Sequence, residues 1–261
     1  MANNYDCIID VPSAILYTNP DKKSSMADEA LYGMSCKIIS EELDFYKIEM
    51  FYGYSAFVDK KEITNGKMGS DIICTSFSDL LPTPEYRYAP VMTLPKGSRI
   101  QTGKTLNERF IEVYLGNGTI LYTHLSNIKK YRIIHPAELQ HELVKKAKEY
   151  SGSTYRWGGK SPSGIDCSGL TFMSYYLNGY IIYRDADREE FKNFKKISLE
   201  KAKPGDLLFF PGHIGLYIGN GEFIHSTAAF GGVLISSLLK DSPLFSRIHS
   251  ETLQAVMTLF F

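Results

Sequence analysis

The chain has 261 residues, 44% of them hydrophobic and 22% charged, ordinary values for a globular protein of one large or two to three small domains. Lys+Arg and Asp+Glu number 29 each, so the formal net charge is zero. That balance excludes the basic excess of a dedicated nucleic-acid binder and the charge imbalance of a disordered acidic chain, so no nucleic-acid partner is expected.

The first residues, MANNYDCIIDVPSAILYTNP, lack a basic segment followed by an apolar core, the pattern of a secretory leader. No stretch approaches the roughly 18 apolar residues of a membrane span. A cytoplasmic location without a membrane partner is the expectation. Cys7, Cys36, Cys74 and Cys167 are far apart and form no CxxC pair, so disulfides are not expected in a reducing compartment. The first three sit among apolar residues and read as small buried hydrophobes.

Up to about residue 130 the chain alternates short apolar runs with turn signals. Cys7–Val11, Ala14–Tyr17, Ser35–Ile39, Tyr46–Met50 and Ser55–Val58 read as strands of small barrels or sandwiches. Leu31-Tyr32-Gly33 and Leu94-Pro95-Lys96-Gly97 each precede two strand patterns, a glycine turn and a closing strand. Gly33 and Gly97 lie 64 positions apart, which suggests two copies of one all-β unit. After Tyr131 the pattern changes. Leu139, Leu143, Val144, Ala147 and Tyr150 recur at helical spacing behind Pro136. A second helix is expected from Cys167. Strands are expected at Asp206–Phe210, Ile214–Ile218, Glu222–His225, Val233–Ser236 and Ala255–Phe260. The expected domains are 1–66, 67–132 and 133–261, the last of α+β class.

The sharpest local feature is Tyr155-Arg156-Trp157-Gly158-Gly159 followed by Gly164-Ile165-Asp166-Cys167-Ser168-Gly169-Leu170. A glycine-rich loop delivers a cysteine to a helix N-terminus, where partial positive charge lowers a thiol pKa and free N–H groups can receive an oxyanion. A base is available in His213 of Pro211-Gly212-His213-Ile214-Gly215. An antiparallel pair of strands turning at Gly219-Asn220-Gly221 would bring His225 beside it. A Cys–His pair oriented by a third polar group is the logic of thiol acyl transfer. A structural cysteine is the plainer alternative. Zinc binding by Cys167, His213 and His225 is another, although a fourth ligand at familiar spacing is missing.

The strings YRWGG (155–159), DCSGL (166–170), PGDLLFF (204–210) and GHIGLYIGNGEFIHS (212–226) resemble the NlpC/p60 family of papain-like cysteine peptidases, over residues 137–250. The resemblance implies hydrolysis of amide bonds in bacterial cell-wall peptides without a cofactor. It implies Cys167 as nucleophile, His213 as base and acid, and His225 as the group orienting His213. Tyr155 would help bind the oxyanion, and Asp166, Ser168 and the nearby Trp157 would contact substrate. Gly179 to Asp187, containing Arg184-Asp185-Ala186, is similar to a stretch of the γ-D-glutamyl-L-diamino acid endopeptidases (dipeptidyl-peptidase VI type). In that subgroup bacterial SH3-like domains precede the catalytic domain. The architecture then expected is a papain-like domain behind two small SH3-like barrels.

The subgroup acts on murein tri- or tetrapeptides with a free N-terminal L-Ala before γ-D-Glu. Arg184, Asp185 and Asp166 would lie near the substrate's charged ends, unless Arg184-Asp185 is only a solvated loop salt bridge. Phe51-Tyr52-Gly53-Tyr54-Ser55 resembles a first-domain strand, with Ala56 and Phe57 departing from its pattern. Tyr54 and an acidic residue, Glu29 in preference to Asp28, would hold the substrate's amine. Recycling of wall peptides by a monomer is the expected role. A broader wall hydrolase, an amidase or an acyltransferase on the same fold is the alternative, and a peptide-binding module without catalysis a third reading.

Overall fold

A computed structural model describes residues 5–260, and the chain divides into two compact units, Met1–Tyr131 and Arg132–Phe261. Among the described residues no helix is long and apolar enough to cross a membrane.

The first unit is all β in two sets of strands. The first set is β1 (Cys7–Ile9), β2 (Ser13–Tyr17), β3 (Met26–Leu31), β4 (Ser35–Glu42), β5 (Phe45–Met50), β6 (Ser55–Asp59) and β7 (Ile63–Asn65). The second is β8 (Asp71–Ile73), β9 (Phe77–Leu80), β10 (Met92–Pro95), β11 (Arg99–Leu106), β12 (Phe110–Tyr114), β13 (Ile120–His124) and β14 (Ile128–Lys130). Strand order is β3-β2-β6-β5-β4-β1-β7 in the first set; in the second it is β13-β12-β11-β8-β14, with β9 and β10 as a separate hairpin. Seven strands therefore recur in the same sequence with the same neighbours, except that the β2–β6 pairing of the first set is reduced in the second to a single bridge, Leu81 to Tyr122.

The repeat extends to single hydrogen bonds. Gly33 N–H donates to Ile9 O at 2.9 Å, and Gly97 N–H donates to Ile73 O at 3.0 Å, each partner displaced by 64. Both glycines have positive φ, +72° and +95°, which L side chains rarely adopt. The spacing read from sequence thus marks one turn used twice. Among the described residues, backbone pairing leaves β3 and β7 at the edges of the first sheet, without a pairing that joins them. Alternation and turn signals encode strand order; closure needs a bond between the terminal strands that no local pattern specifies.

The second unit opens with α1 (Pro136–Lys148), capped by His135 and burying Leu139, Leu143 and Ala147. A short hairpin, β15 (Lys160–Ser161) and β16 (Gly164–Ile165), leads into α2 (Cys167–Tyr176), all ten of whose residues are buried. The strands β17 (Lys195–Ile197), β18 (Leu207–Phe210), β19 (His213–Gly219), β20 (Glu222–Thr227), β21 (Gly232–Ser237) and β22 (Ala255–Thr258) form one antiparallel sheet in the order β17-β22-β18-β19-β20-β21. The short α3 (Arg247–Thr252) precedes the last strand. Leu208, Phe210, Tyr217, Phe223, Leu238 and Val256 form an apolar cluster on this sheet.

Gly169 in α2 has a packing reason. A Cβ there would stand 2.1 Å from the Gly159 carbonyl oxygen, so the helix lies against the loop that precedes it. In an open helix Gly→Ala would gain about 1 kcal/mol. Here Gly169→Ala is expected instead to destabilise the second unit by ~1–3 kcal/mol through overpacking. Denaturant unfolding followed by the fluorescence of Trp157, the chain's one tryptophan, measures it.

Candidate active site

Asp166 places Cys167. Its Oδ1 accepts from Gly169 N–H at 2.6 Å, a helix N-cap, and its Oδ2 accepts from Gly158 N–H at 2.7 Å. One carboxylate therefore ties the glycine-rich loop to the start of α2. Arg184 clamps the same group, with Nη1 3.1 Å from Oδ1 and Nη2 3.2 Å from Oδ2, and its Nη1 donates to Ser168 Oγ at 2.8 Å. Arg184 is only 1% exposed, so the alternative of a solvated loop salt bridge is corrected: the bridge to Asp166 is buried. Asp185, 3.9 Å from Arg184, is the outer member of this group.

The N–H groups of Ile214 and Ser168 act on the Cys167 thiol in the lowering direction. Burial nevertheless pushes the thiol up to about 11, and the Asp166 carboxylate adds to the rise. The expected lowering is therefore reversed. The helix N-terminus is already occupied by a carboxylate, and the thiol is 8% exposed, so lost hydration outweighs two N–H dipoles.

The tight hairpins of the sheet align the histidines. Phe210 pairs with His213 across one turn, and β19 and β20 pair through Leu216–Ile224 and Tyr217–Phe223. His213 and His225 then project from the same face as diagonal neighbours. His213 Nε2 and His225 Nδ1 are 2.7 Å apart, and His225 Nε2 is 3.0 Å from Ser236 Oγ on β21. If His225 donates its Nε2–H to Ser236, its Nδ1 must accept from His213 Nε2–H. That tautomer leaves His213 Nδ1 with a lone pair, the form a base needs. The opposite chain of donors would protonate Nδ1 and disable it.

Burial lowers His213 to about 4 and His225 to about 3. The neighbouring His249 lowers both further, while Asp166 acts in the opposite direction on His213. Both rings are neutral at pH 7. An unfolded histidine titrates near 6.5, so below that pH the unfolded chain binds protons that the folded chain refuses. Stability is therefore full above about 6.5 and falls as pH drops toward these lower values, by up to about 1.4 kcal/mol per pH unit for each histidine. Urea midpoints between pH 7 and pH 4 should fall, and His225→Gln should flatten the slope.

Tyr155 hydrogen-bonds through its N–H to Gly231 O at 2.8 Å and is raised to about 12 by burial first and then by the charges of Cys167 and Asp166. Trp157, on the same loop, is 68% exposed. Glu29 and Tyr54 belong to the first unit. Glu29, on β3, is buried and accepts from Ser13 Oγ, and Tyr54 donates to Ala27 O at 3.3 Å. Asp28 accepts from Tyr52 OH at 2.6 Å.

Three groups escaped sequence reasoning. Ser236 sits behind His225, and Ile214 contributes only its backbone N–H. His249 of α3 lies with its ring centre 4.9 Å from His225 and 5.4 Å from His213. A strand serine and a lone histidine in a short helix carry no motif; the strand hydrogen bonds that set their places are not written in their neighbours.

The residues described, a buried thiol at the start of α2, two imidazoles 2.7 Å apart and a hydroxyl behind the second, can relay a proton and supply a sulfur nucleophile. The NlpC/P60 family pattern matches residues 152–246, which hold all of them except His249. A Lysinibacillus sphaericus protein named dipeptidyl-peptidase 6 is 34% identical over 98% of this chain and 100% of its own length. A Bacillus cereus γ-D-glutamyl-L-lysine dipeptidyl-peptidase is 26% identical over 88% of this chain and 80% of its own. The crystal structure of an NlpC/P60 family protein from Bacillus cereus superposes with a TM-score of 0.83 over 98% of this chain and 100% of that one, at 21% identity, a likeness of fold.

Proposed function

The chain belongs to the NlpC/P60 family of cysteine-type hydrolases, and from that premise we propose that it cuts murein peptides between γ-D-Glu and the following L-diamino acid. The peptide would carry a free N-terminal L-Ala, and the product would be L-Ala-γ-D-Glu. What carries the reading is the His213–His225–Ser236 alignment together with the buried Cys167 at the start of α2, in a chain similar end to end to a protein named dipeptidyl-peptidase 6.

At neutral pH the thiol and the imidazole both start uncharged. His213 Nδ1 takes the Cys167 proton as sulfur attacks the γ-carbonyl of D-Glu. His225, polarised by Ser236, steadies the imidazolium through the 2.7 Å bond. The oxyanion lies against the Cys167 N–H and the Tyr155 hydroxyl. His213 returns the proton to the leaving amine, and a thioester remains. Water, deprotonated by His213, then releases the dipeptide.

Asp166, Ser168 and Arg184 hold the loop near the substrate's charged ends, with Asp185 and Trp157 at its edge. The substrate's amine is a cation at neutral pH, and an acylated peptide would be rejected because the groups that hold the amine would be left unpaired. A role in recycling wall peptides in the cytoplasm, as a monomer, completes the proposal.

Mass spectrometry of L-Ala-γ-D-Glu-L-Lys and its N-acetyl form, incubated with the protein, tests it. Release of L-Ala-γ-D-Glu from the free-amine peptide alone is the expected result. Cleavage of both removes the amine requirement, and clearing of intact wall with neither peptide cut would replace the reading by a broader wall hydrolase.

A further inference from the structure

His213, His225 and His249 each offer one ring nitrogen, and the three nitrogens lie within 4.8 Å of one another. We propose that these three imidazoles form an inhibitory site for a borderline-soft divalent cation, zinc above all, which switches the peptidase off without touching the cysteine. The effect on turnover rests on the peptidase reading; the binding does not.

The donor set selects the metal. Three imidazoles and a fourth position open to water suit Zn²⁺, Cu²⁺ or Ni²⁺ and give nothing to Mg²⁺ or Ca²⁺, which require oxygen. The rings are held as ligands need to be held. His225 Nε2 faces Ser236 Oγ at 3.0 Å, and His249 Nδ1 faces Ser246 Oγ at 2.7 Å. Each hydroxyl fixes the nitrogen away from the metal and leaves the other for coordination, the arrangement that orients histidines in metal sites. The walls are apolar: the His249 ring centre is 4.8 Å from that of Phe210 and 5.3 Å from that of Phe223. His213 and His249 are partly exposed, which leaves an entry.

Binding requires a small change and one proton shift. Nitrogens on tetrahedral zinc, each about 2.0–2.1 Å from the metal, stand roughly 3.3 Å apart. The His213–His225 pair must therefore open from 2.7 Å. Three Zn–N bonds form and the aqua ion loses water. The proton on His213 Nε2 moves to its Nδ1. Nδ1 then donates where it had accepted, and it can no longer take the Cys167 proton. The base is neutralised through its far nitrogen.

The test is calorimetric titration of Zn²⁺ into Cys167→Ala protein, in which thiolate ligation is impossible. One site is expected. His249→Gln should weaken it more than Ser246→Ala, which removes an orienting hydroxyl and should cost about tenfold. In the intact protein Co²⁺ should give visible bands of nitrogen ligation without the near-ultraviolet band of a cobalt thiolate. Zn²⁺ should inhibit turnover reversibly by EDTA, and His249→Gln should need more of it, relative to its own metal-free rate. Loss of binding in Cys167→Ala, unchanged affinity in His249→Gln, or a thiolate band with Co²⁺ would overturn the proposal. Metal bound as expected by a protein that cuts no peptide would sink the peptidase reading and leave the site standing.

Discussion

Cys167→Ala and His213→Ala are each expected to lower kcat on the γ-D-glutamyl peptide by a factor on the order of 10⁵–10⁶, and the double variant by little more. The two side chains act as a unit: without the base the thiol, raised to about 11, stays protonated at neutral pH, and without the sulfur the base has nothing to activate. His225→Ala removes the partner of His213 Nε2 and frees the ring to adopt the wrong tautomer. Its loss should be roughly 10²–10⁴, by comparison with removal of the third member of a serine triad. His225→Asn, which can still accept from Nε2–H, should recover part of it, and Ser236→Ala should cost least of the series. KM should change little in all of them, because these groups act in the transition state. Steady-state kinetics with separate kcat and KM checks the order, and His225→Ala matching wild type would remove the relay from the mechanism.

The second large effect is on stability. Asp166→Ala should destabilise the second unit by about 3–5 kcal/mol, since it leaves the Arg184 guanidinium buried without its carboxylate, and by about 1 kcal/mol more through the lost N-cap of α2. Arg184→Leu should cost less. Asp166 would keep the Gly158 and Gly169 N–H donors and the positive end of the helix, whereas the arginine in the first variant loses its near counter-charge and keeps the more distant, half-exposed Asp185 at 3.9 Å. The double variant Asp166→Asn/Arg184→Leu should be more stable than Asp166→Ala, because no unpaired charge remains. Urea unfolding followed by Trp157 fluorescence reports on the unit that holds this pair. Equal losses for the two single variants would show that the network is not charge-balanced in this way.

Much of this was legible along the chain. The Gly33 and Gly97 turns, 64 residues apart, announced the repeat because a positive-φ turn needs its glycine wherever it occurs. Pro136 with its helical periodicity, the helix start at Cys167, and the turn that folds β19 onto β20 all depend on residues a few positions apart, and the last of these puts His213 beside His225 on local grounds alone. Gly159 and Gly169 stood in the motif strings, although their reason, a carbonyl too close for any side chain, is a packing fact.

What only the tertiary structure decided is the environment of those residues. Arg184 reaches Asp166 across 18 positions, Ser236 reaches His225 across 11, and His249 enters from a helix with no motif. The sequence by itself determined the identity and order of the candidate groups, and it pointed to a lowered thiol. The fold set the thiol's direction the other way, because desolvation sums over every element packed around the sulfur, whereas a helix dipole is a property of one element alone.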